Sequence, residues 1–506
     1  MSGFLTGWLS VEAPVLIVVL PLIIGAICAV MPKDKIAWLL AFITTLICSA
    51  LAFDLVMQTR GEQVLSYALG GWDPPFGIEY RIDGLNAPVL LLISVIGVIC
   101  TLYALSSTEA EIEPKKRAPF YAAFLIGFAG LLGMVTTGDA FNVFVFLEIS
   151  SIATYVLVAM GASRDRRALN SAFNYLILGS IGATFFVIGV GFLYMETGTL
   201  NMVDMADKLA VMGDVSRVSQ VAFAFIVVGL GLKLAMFSLH LWLPGAYAYS
   251  PTAITAFLAA TATKAALYLL FRFVFTVFDP SLEFIGATLT WLLAVLGVIG
   301  MFVASFQAIF QSDARRVLAF SSVAQVGYML LGVGMGTALG LSAGYVHLIN
   351  HGIIKGALFL ALGAFWYRYG IVRVSDFKGL GKIMPWTMSA FTIAALALIG
   401  VPGTAGFVSK FQLLTAAADN GWWWAVGAIV VTSILAVIYM GRMLEAAWLQ
   451  PAPEVNGKPV QKREAPLPML VGLWTLAIAA IVFGIVPSWP VELANGAAQV
   501  MLGGGL

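Results

Sequence analysis

The sequence predicts an all-α integral membrane protein of about fourteen transmembrane helices, because apolar segments of at least about 18 residues recur from end to end. Composition agrees. Of 506 residues, 61% are hydrophobic and only 10% are charged, against roughly 25% charged in soluble domains. The third observation is where the few charges fall. Nearly all basic residues lie in the polar joints, whereas Lys233, Lys264, Lys355, Lys410 and the acid Glu148 lie inside apolar segments.

Taken in order, helix 1 is expected over 12–30. No basic region precedes it and no small-residue cleavage site follows, so it reads as a retained helix. Helices 2 to 6 follow over 36–57, 84–106, 118–136, 139–161 and 169–195. Helix 7, over 217–243, holds Gly229 and Gly231 and is followed by Pro244–Gly245, which marks it as broken. Backbone freed by such a break is tolerated in a membrane where it lines a cavity or is buried in protein. Helices 8 to 11 are expected over 251–278, 284–308, 316–336 and 340–367. Helix 12, over 384–416, carries Pro402–Gly403 and is the second broken span. Helices 13 and 14 occupy 422–448 and 467–486. The longest joints, 58–83, 196–216 and 449–466, leave no room for a soluble domain. Cys28, Cys48 and Cys100 lie in apolar segments and form neither a disulfide framework nor a zinc spacing. A net charge of +1 argues against a nucleic-acid partner.

Orientation follows from the joints. Lys33 and Lys35, Lys115–Arg117, Arg164, Arg166 and Arg167, Arg315 and Arg316, and Arg368, Arg373, Lys378 and Lys382 all follow odd-numbered helices. So do Arg442, Lys458, Lys462 and Arg463. The other joints hold only Arg60, Arg81, Lys208 and Arg217, with Arg272 near the end of helix 8. They are also acidic, with Asp73, Glu79, Asp83, Asp204, Asp207 and Asp214. The positive-inside rule makes the first set cytoplasmic and both termini external. Of 27 basic residues, this leaves the four mid-span lysines without an aqueous home.

A charge at bilayer depth costs at least about 2.5 kcal/mol on insertion scales, so such residues face protein or a water-filled interior. Glu148 sits mid-span, where a structural salt bridge, a protonated acid or a functional carboxylate would each account for it. Lys233 is ten or more residues from either end of its span, too deep to snorkel comfortably. A Lys–Glu pair at this depth is switchable by small movements of charge. Lys264 lies on an Ala- and Thr-rich face, which suits either a proton station or a structural cation between close-packed helices. His347, His351 and Lys355 fall at i, i+4 and i+8 of helix 11, on one face. Two histidines one turn apart are a metal spacing, but that helix supplies no acidic or cysteine third ligand, and histidine also suits a proton relay. Tyr328 and Ser321 or Ser322 of helix 10 are candidates to join it. Lys410 follows the helix-12 break and suits the external end of a path or an anchor at the outer surface. His240, beside Trp242, fits an interfacial aromatic belt or a relay equally. Paired broken spans, each with a lysine, are the pattern of internally repeated transporters.

The segments FLEISSIATY, LKLAMFSLHLWLPGAYAYSPT, SDARRVLAFSSVAQVGYML, HLINHGIIKGALFLALG, GLGKIMP and VPGTAGFVSKFQLL span most of residues 84–450. Together they resemble the antiporter-like subunits shared by Mrp-type monovalent cation/proton antiporters and respiratory complex I. The resemblance implies inverted five-helix repeats over 118–278 and 279–450, flanked by helices 1–3 (1–117) and a C-terminal part (451–506). It implies a switching pair of Glu148 and Lys233, a central axis of Lys264 and the helix-11 residues His347, His351 and Lys355, and an exit at Lys410. EISSIATY and Lys410 are similar to the D-type subunit of the Mrp antiporter; lysine at the latter position is also found in the N-type subunit of complex I. Ser238 stands where many relatives have proline. The implied protein has no cofactor, moves protons and monovalent cations such as sodium in a bacterial cytoplasmic membrane, and contacts lipid. Large A-type and small C-type antiporter subunits are the implied neighbours. The alternative is a proton-pumping subunit of complex I or a membrane-bound hydrogenase. A membrane scaffold whose charges are only ion pairs is a third reading. No nucleophile–base constellation or phosphate loop points to a soluble-type enzyme.

Overall fold

A computed structural model describes residues 7–61, 63–213, 216–452, 454–455, 458–459 and 461–503; Asp214 of the acidic joint lies outside them. We number the helices by the expected spans. The first three are α1 Ala13–Ala29, α2 Asp34–Gln58 and α3 Ala87–Glu111. Then come α4 Pro114–Thr136, α5 Ala140–Met160 and α6 Arg167–Thr197. Helix 7 is two pieces, α7a Arg217–Leu234 and α7b Leu243–Tyr249, followed by α8 Thr252–Arg272. Next are α9 Glu283–Ile309, α10 Ala314–Gly334 and α11 Ala338–Tyr369. Helix 12 is also two pieces, α12a Pro385–Ile399 and α12b Ala405–Asp419, and α13 Trp423–Leu449 and α14 Leu467–Ile485 complete the series.

Among the described residues, 12 helices are long and apolar enough to cross a membrane. The expected fourteen exceed this by α1, which has only 17 residues, and by helix 12, whose halves are each too short alone. The two largest polar joints are structured. In the first, β1 Leu65–Ala68 and β2 Glu79–Ile82 pair as a hairpin, and in the second lies the helix Met202–Met212. Glu79 fastens the two joints together, accepting from Ser66 Oγ (2.6 Å) and Asn201 Nδ2 (2.8 Å).

Three helices make the centre. The membrane-length windows of α10 and α11 are wholly buried and that of α8 nearly so, whereas α2, α6 and α14 keep most of theirs at the rim. α11 packs against α8, α10, both halves of helix 12, α14 and the C-terminal helix Ser488–Met501. Small residues allow this density. A Cβ on Gly327 of α10 would lie 2.3 Å from the Gly297 carbonyl of α9, so the two backbones touch there.

Both expected breaks are present, but only one falls where glycine and proline pointed. In helix 12, Gly400 and Gly403 adopt φ of +95° and +85° around Pro402. In helix 7 the break covers residues 235–242 and starts at Ala235, at φ +57°. Gly229 stays helical and serves close packing: a Cβ there would sit 2.6 Å from the Gly182 carbonyl of α6. Pro244 begins α7b instead of ending α7a, as expected of a residue lacking an N–H, which is tolerated in a first turn.

Candidate functional site

The C-terminal end of α7a delivers Lys233 to α5. Its Nζ donates to Ser151 Oγ at 2.6 Å, and Ser151 in turn donates to the Leu147 carbonyl. Ser151 lies three residues after Glu148, so the two share a helix face. Glu148 acts on Lys233 electrostatically, yet among the described residues the two form no direct ion pair. Both are half-buried, and Glu148 Oε1 has no hydrogen-bond partner. The pair is therefore open, with Lys233 held by a serine hydroxyl and not by the acid.

The central row is fully enclosed. Lys264 donates to the Ala259 carbonyl (2.5 Å) and lies 3.3 Å from Thr263 Oγ1. On α11 the rings of His347 and His351 stack at 6.0 Å with planes 8° apart. His347 bridges two other helices, with Nδ1 2.8 Å from Ser409 Oγ of α12b and Nε2 2.9 Å from Gln325 Oε1 of α10. His351 is buried with neither ring nitrogen bonded to protein; buried polar groups of this kind are satisfied by water. Lys355 donates to the Leu318 carbonyl (2.8 Å) and to Ser321 Oγ, so Ser321 joins the stripe. Ser322 bonds instead to its own helix.

Lys410 lies at the start of α12b, against the end of α12a. Its Nζ donates to the carbonyls of Leu398 (3.0 Å) and Ile399 (2.9 Å), which the break leaves without intrahelical partners. The ammonium also sits 4.9 Å over the Tyr328 ring, and that ring lies 5.5 Å from the His347 ring, tilted by 40°. Tyr328 thus connects the α11 stripe to Lys410, with its hydroxyl 2.7 Å from Thr432 Oγ1. Lys410 is buried among these groups, not extended to an outer surface.

His240 lies buried in the helix-7 break, stacked on Phe237 at 5.5 Å and edge-on to Phe320 of α10. Trp242 is no belt residue: it is buried, stacked on Tyr175 at 4.1 Å, and donates to the Leu232 carbonyl (2.8 Å). Ser238 is exposed in the same break.

Sequence reasoning missed several partners. Ser151, Gln325, Ser409 and Ser433 are polar residues inside apolar spans, and that was their only signal. It also misplaced some charges. Arg164, assigned to a joint, and Arg272, placed near the end of helix 8 and given an aqueous home there, are largely buried and each meets a carboxylate, Glu111 at 2.9 Å and Asp83 at 2.8 Å. Asp54, near the end of α2, is a second acid within a span, buried and bonded by Ser10 and Gln58. The buried arginines are thus paired with acids, and the central lysines are not. Arginine keeps its proton in any protein environment, whereas lysine is the cation that can be discharged. A row of unpaired lysines joined by histidine, hydroxyl and amide groups is chemically suited to passing protons.

Residues 137–436 match the family model described as NADH:quinone oxidoreductase/Mrp antiporter, TM. The chain is 39% identical over 496 residues to NADH-quinone oxidoreductase subunit N of Desulforudis audaxviator, covering 94% of this chain and 96% of that one. It is 35% identical over 354 residues to the D-type subunit of the Na(+)/H(+) antiporter of Alkalihalophilus pseudofirmus, covering 70% and 69%. A chain of the Mrp complex from Dietzia sp. superposes with a TM-score of 0.88 at 27% identity, over 98% of both chains.

Proposed function

The chain belongs to the NADH:quinone oxidoreductase/Mrp antiporter transmembrane family, and from that premise we propose that it is the proton-translocating subunit of a multisubunit monovalent cation/proton antiporter, a transporter component and not an enzyme. The observation that carries this reading is the set of buried cations and relay groups on α8, α10, α11 and helix 12, whose lysines form no ion pair with an acid among the described residues. Unpaired charge at this depth is costly, and a titratable row turns that cost into a path. Protons enter at Glu148 and Lys233, pass Lys264, His351, Lys355 and His347, and reach Lys410 beside Tyr328. His240 and Ser238, in the helix-7 break, are accessory. Repeats 118–278 and 279–450 each contribute half of the route, between helices 1–3 (1–117) and the C-terminal part (451–506).

Sodium is the proposed counter-ion, exchanged within a hetero-oligomer that includes large A-type and small C-type subunits. Glu148 supports such neighbours: it shares its face of α5 with the exposed Val145, Ile152 and Val156, and a carboxylate facing lipid would be disfavoured. The arginine-rich joints face the cytoplasm of a bacterium, with both termini outside. The test is sodium/proton exchange in everted vesicles carrying the whole complex. Full exchange after Glu148→Ala or Lys233→Ala would remove the assigned roles.

A second reading, a proton-pumping subunit of a redox complex, is favoured by the 39% identity to a relative named as an NADH-quinone oxidoreductase subunit. Co-purification with iron–sulfur subunits would select it. Small membrane partners without redox centres would select the antiporter.

A further inference from the structure

Lys264 shares its helix face with a second set of polar residues that the axis does not use. Lys264, Tyr268 and Arg272 fall at i, i+4 and i+8 of α8, one face of a helix that ends on the side away from the arginine-rich joints. All three are buried. The rise from Lys264 to Arg272 is about 12 Å. At its end Arg272 Nε donates to the Tyr268 hydroxyl (3.1 Å) and Nη2 donates to Asp83 Oδ1 (2.8 Å). The amides of Leu85 and Asn86 also donate to Oδ1, at 2.9 and 3.3 Å.

The other oxygen, Oδ2, is buried and has no partner. Asp83 lines a cavity of about 500 Å³ between the end of α2, the 58–83 joint and the helix Ser488–Met501, where Arg60, Glu492 and Gln499 also face it. A second cavity, of about 20 Å³, is lined by Tyr268, Arg272, Thr276 and Arg81; that is room for a single water. Burial pushes the Asp83 carboxyl up, but the Arg272 guanidinium, with the Leu85 amide and Arg81, holds it below the usual carboxylate range. Such a group takes a proton only briefly and passes it on.

We propose that Asp83 is the release group of a lateral outlet from Lys264, carrying protons along α8 through the Tyr268 hydroxyl to the cavity beside the C-terminal helix. The Lys264 ammonium gives up one proton to an intervening water. The Tyr268 oxygen takes a proton while its own hydrogen moves on to the next water, Asp83 Oδ2 accepts it, and cavity water removes it. Lys264 is left neutral until recharged from Lys233. Arg272 keeps its proton throughout and is a positioning residue that keeps Asp83 ionised.

The outlet rests on the proton-transport reading above, and the experiment separates the two. Exchange is measured in proteoliposomes holding the complete complex, with subunit composition checked by co-purification. Tyr268→Phe leaves the Asp83–Arg272 pair in place and should slow exchange at least about tenfold, less than the roughly 10²-fold a sole positioned proton-transfer group supplies, because water substitutes in part. Asp83→Asn should do the same, and Asp83→Glu should restore most of the rate. The three native cysteines are buried, so Gln499→Cys places an accessible thiol at the cavity. An impermeant cationic thiol reagent should then slow exchange from one side of the membrane only, an effect that a structural ion pair would not produce. Wild-type exchange in Tyr268→Phe, or no effect of the reagent from either side, overturns the outlet. If Lys264→Ala abolishes exchange while Tyr268→Phe does not, only the outlet falls. If Lys264→Ala leaves exchange intact, the axis falls with it.

Discussion

The two broken helices present a lysine in the same kind of gap and satisfy it in opposite ways. At the end of α7a, the Leu232 carbonyl is taken by the Trp242 indole, so Lys233 is left to a single serine hydroxyl with Glu148 nearby. At the end of α12a no indole intervenes, and Lys410 itself takes the freed carbonyls of Leu398 and Ile399. A helix C-terminus carries partial negative charge, so it holds a cation without any acid. The first lysine is half-exposed and loosely held; the second is buried and fixed by backbone. Backbone dipoles cannot be withdrawn as a side chain can. The difference suits a switch at one break and a permanent station at the other.

The comparison breaks most readily at Lys410. Lys410→Met should abolish exchange and also destabilise the subunit, because each orphaned carbonyl costs about 1–3 kcal/mol; thermal melting of the purified complex reads the second effect. Lys410→Arg sharpens the point. It should keep most of the melting temperature while exchange falls by roughly 10²-fold, since the guanidinium fills the gap but does not release a proton. At the other break, Lys233→Met should stop exchange with a stability loss of only about 1 kcal/mol, one hydrogen bond. Equal melting losses for the two methionine variants would mean that the breaks are equivalent after all. Trp242→Phe comes next. It leaves the Leu232 carbonyl with only the Ala235 N–H at 3.3 Å, should cost about 1 kcal/mol for the hydrogen bond lost, and should slow exchange severalfold if Lys233 turns toward that carbonyl as Lys410 does. Ser433→Ala should do least, under about 0.5 kcal/mol, because its hydroxyl is 3.4 Å from Lys410 and two carbonyls remain.

What could be read from the chain follows the range of the interactions. Span positions were legible because hydropathy is local, and the helix-12 break was legible because Gly400, Pro402 and Gly403 make it. That helix 7 is broken was legible too, but the position of the break was not. Its first residue is an alanine, and the nearby proline opens the next piece instead of closing the last one. The lysines stood out because nothing near them in sequence excused them. Ser151, Gln325 and Ser409 did not, since a serine or glutamine in a helix reads alike whether it faces lipid or a lysine 82 residues away, as Ser151 does. Arg164 and Arg272 were misplaced for a related reason. Both lie close to helix ends, and only the packed structure reveals the acids that draw them inward.

The enclosure of α10 and α11 also bears on the solvent around them. The windows that carry Gln325, His347, His351 and Lys355 are wholly buried within the chain, so a change in acyl-chain length or headgroup mixture reaches those residues only through other helices. Matching to hydrocarbon thickness falls instead on rim helices such as α2, α6 and α14, which tilt or snorkel at a cost of fractions of a kcal/mol per Å of mismatch. The chain can therefore be carried between bilayers of different thickness with its interior chemistry unchanged.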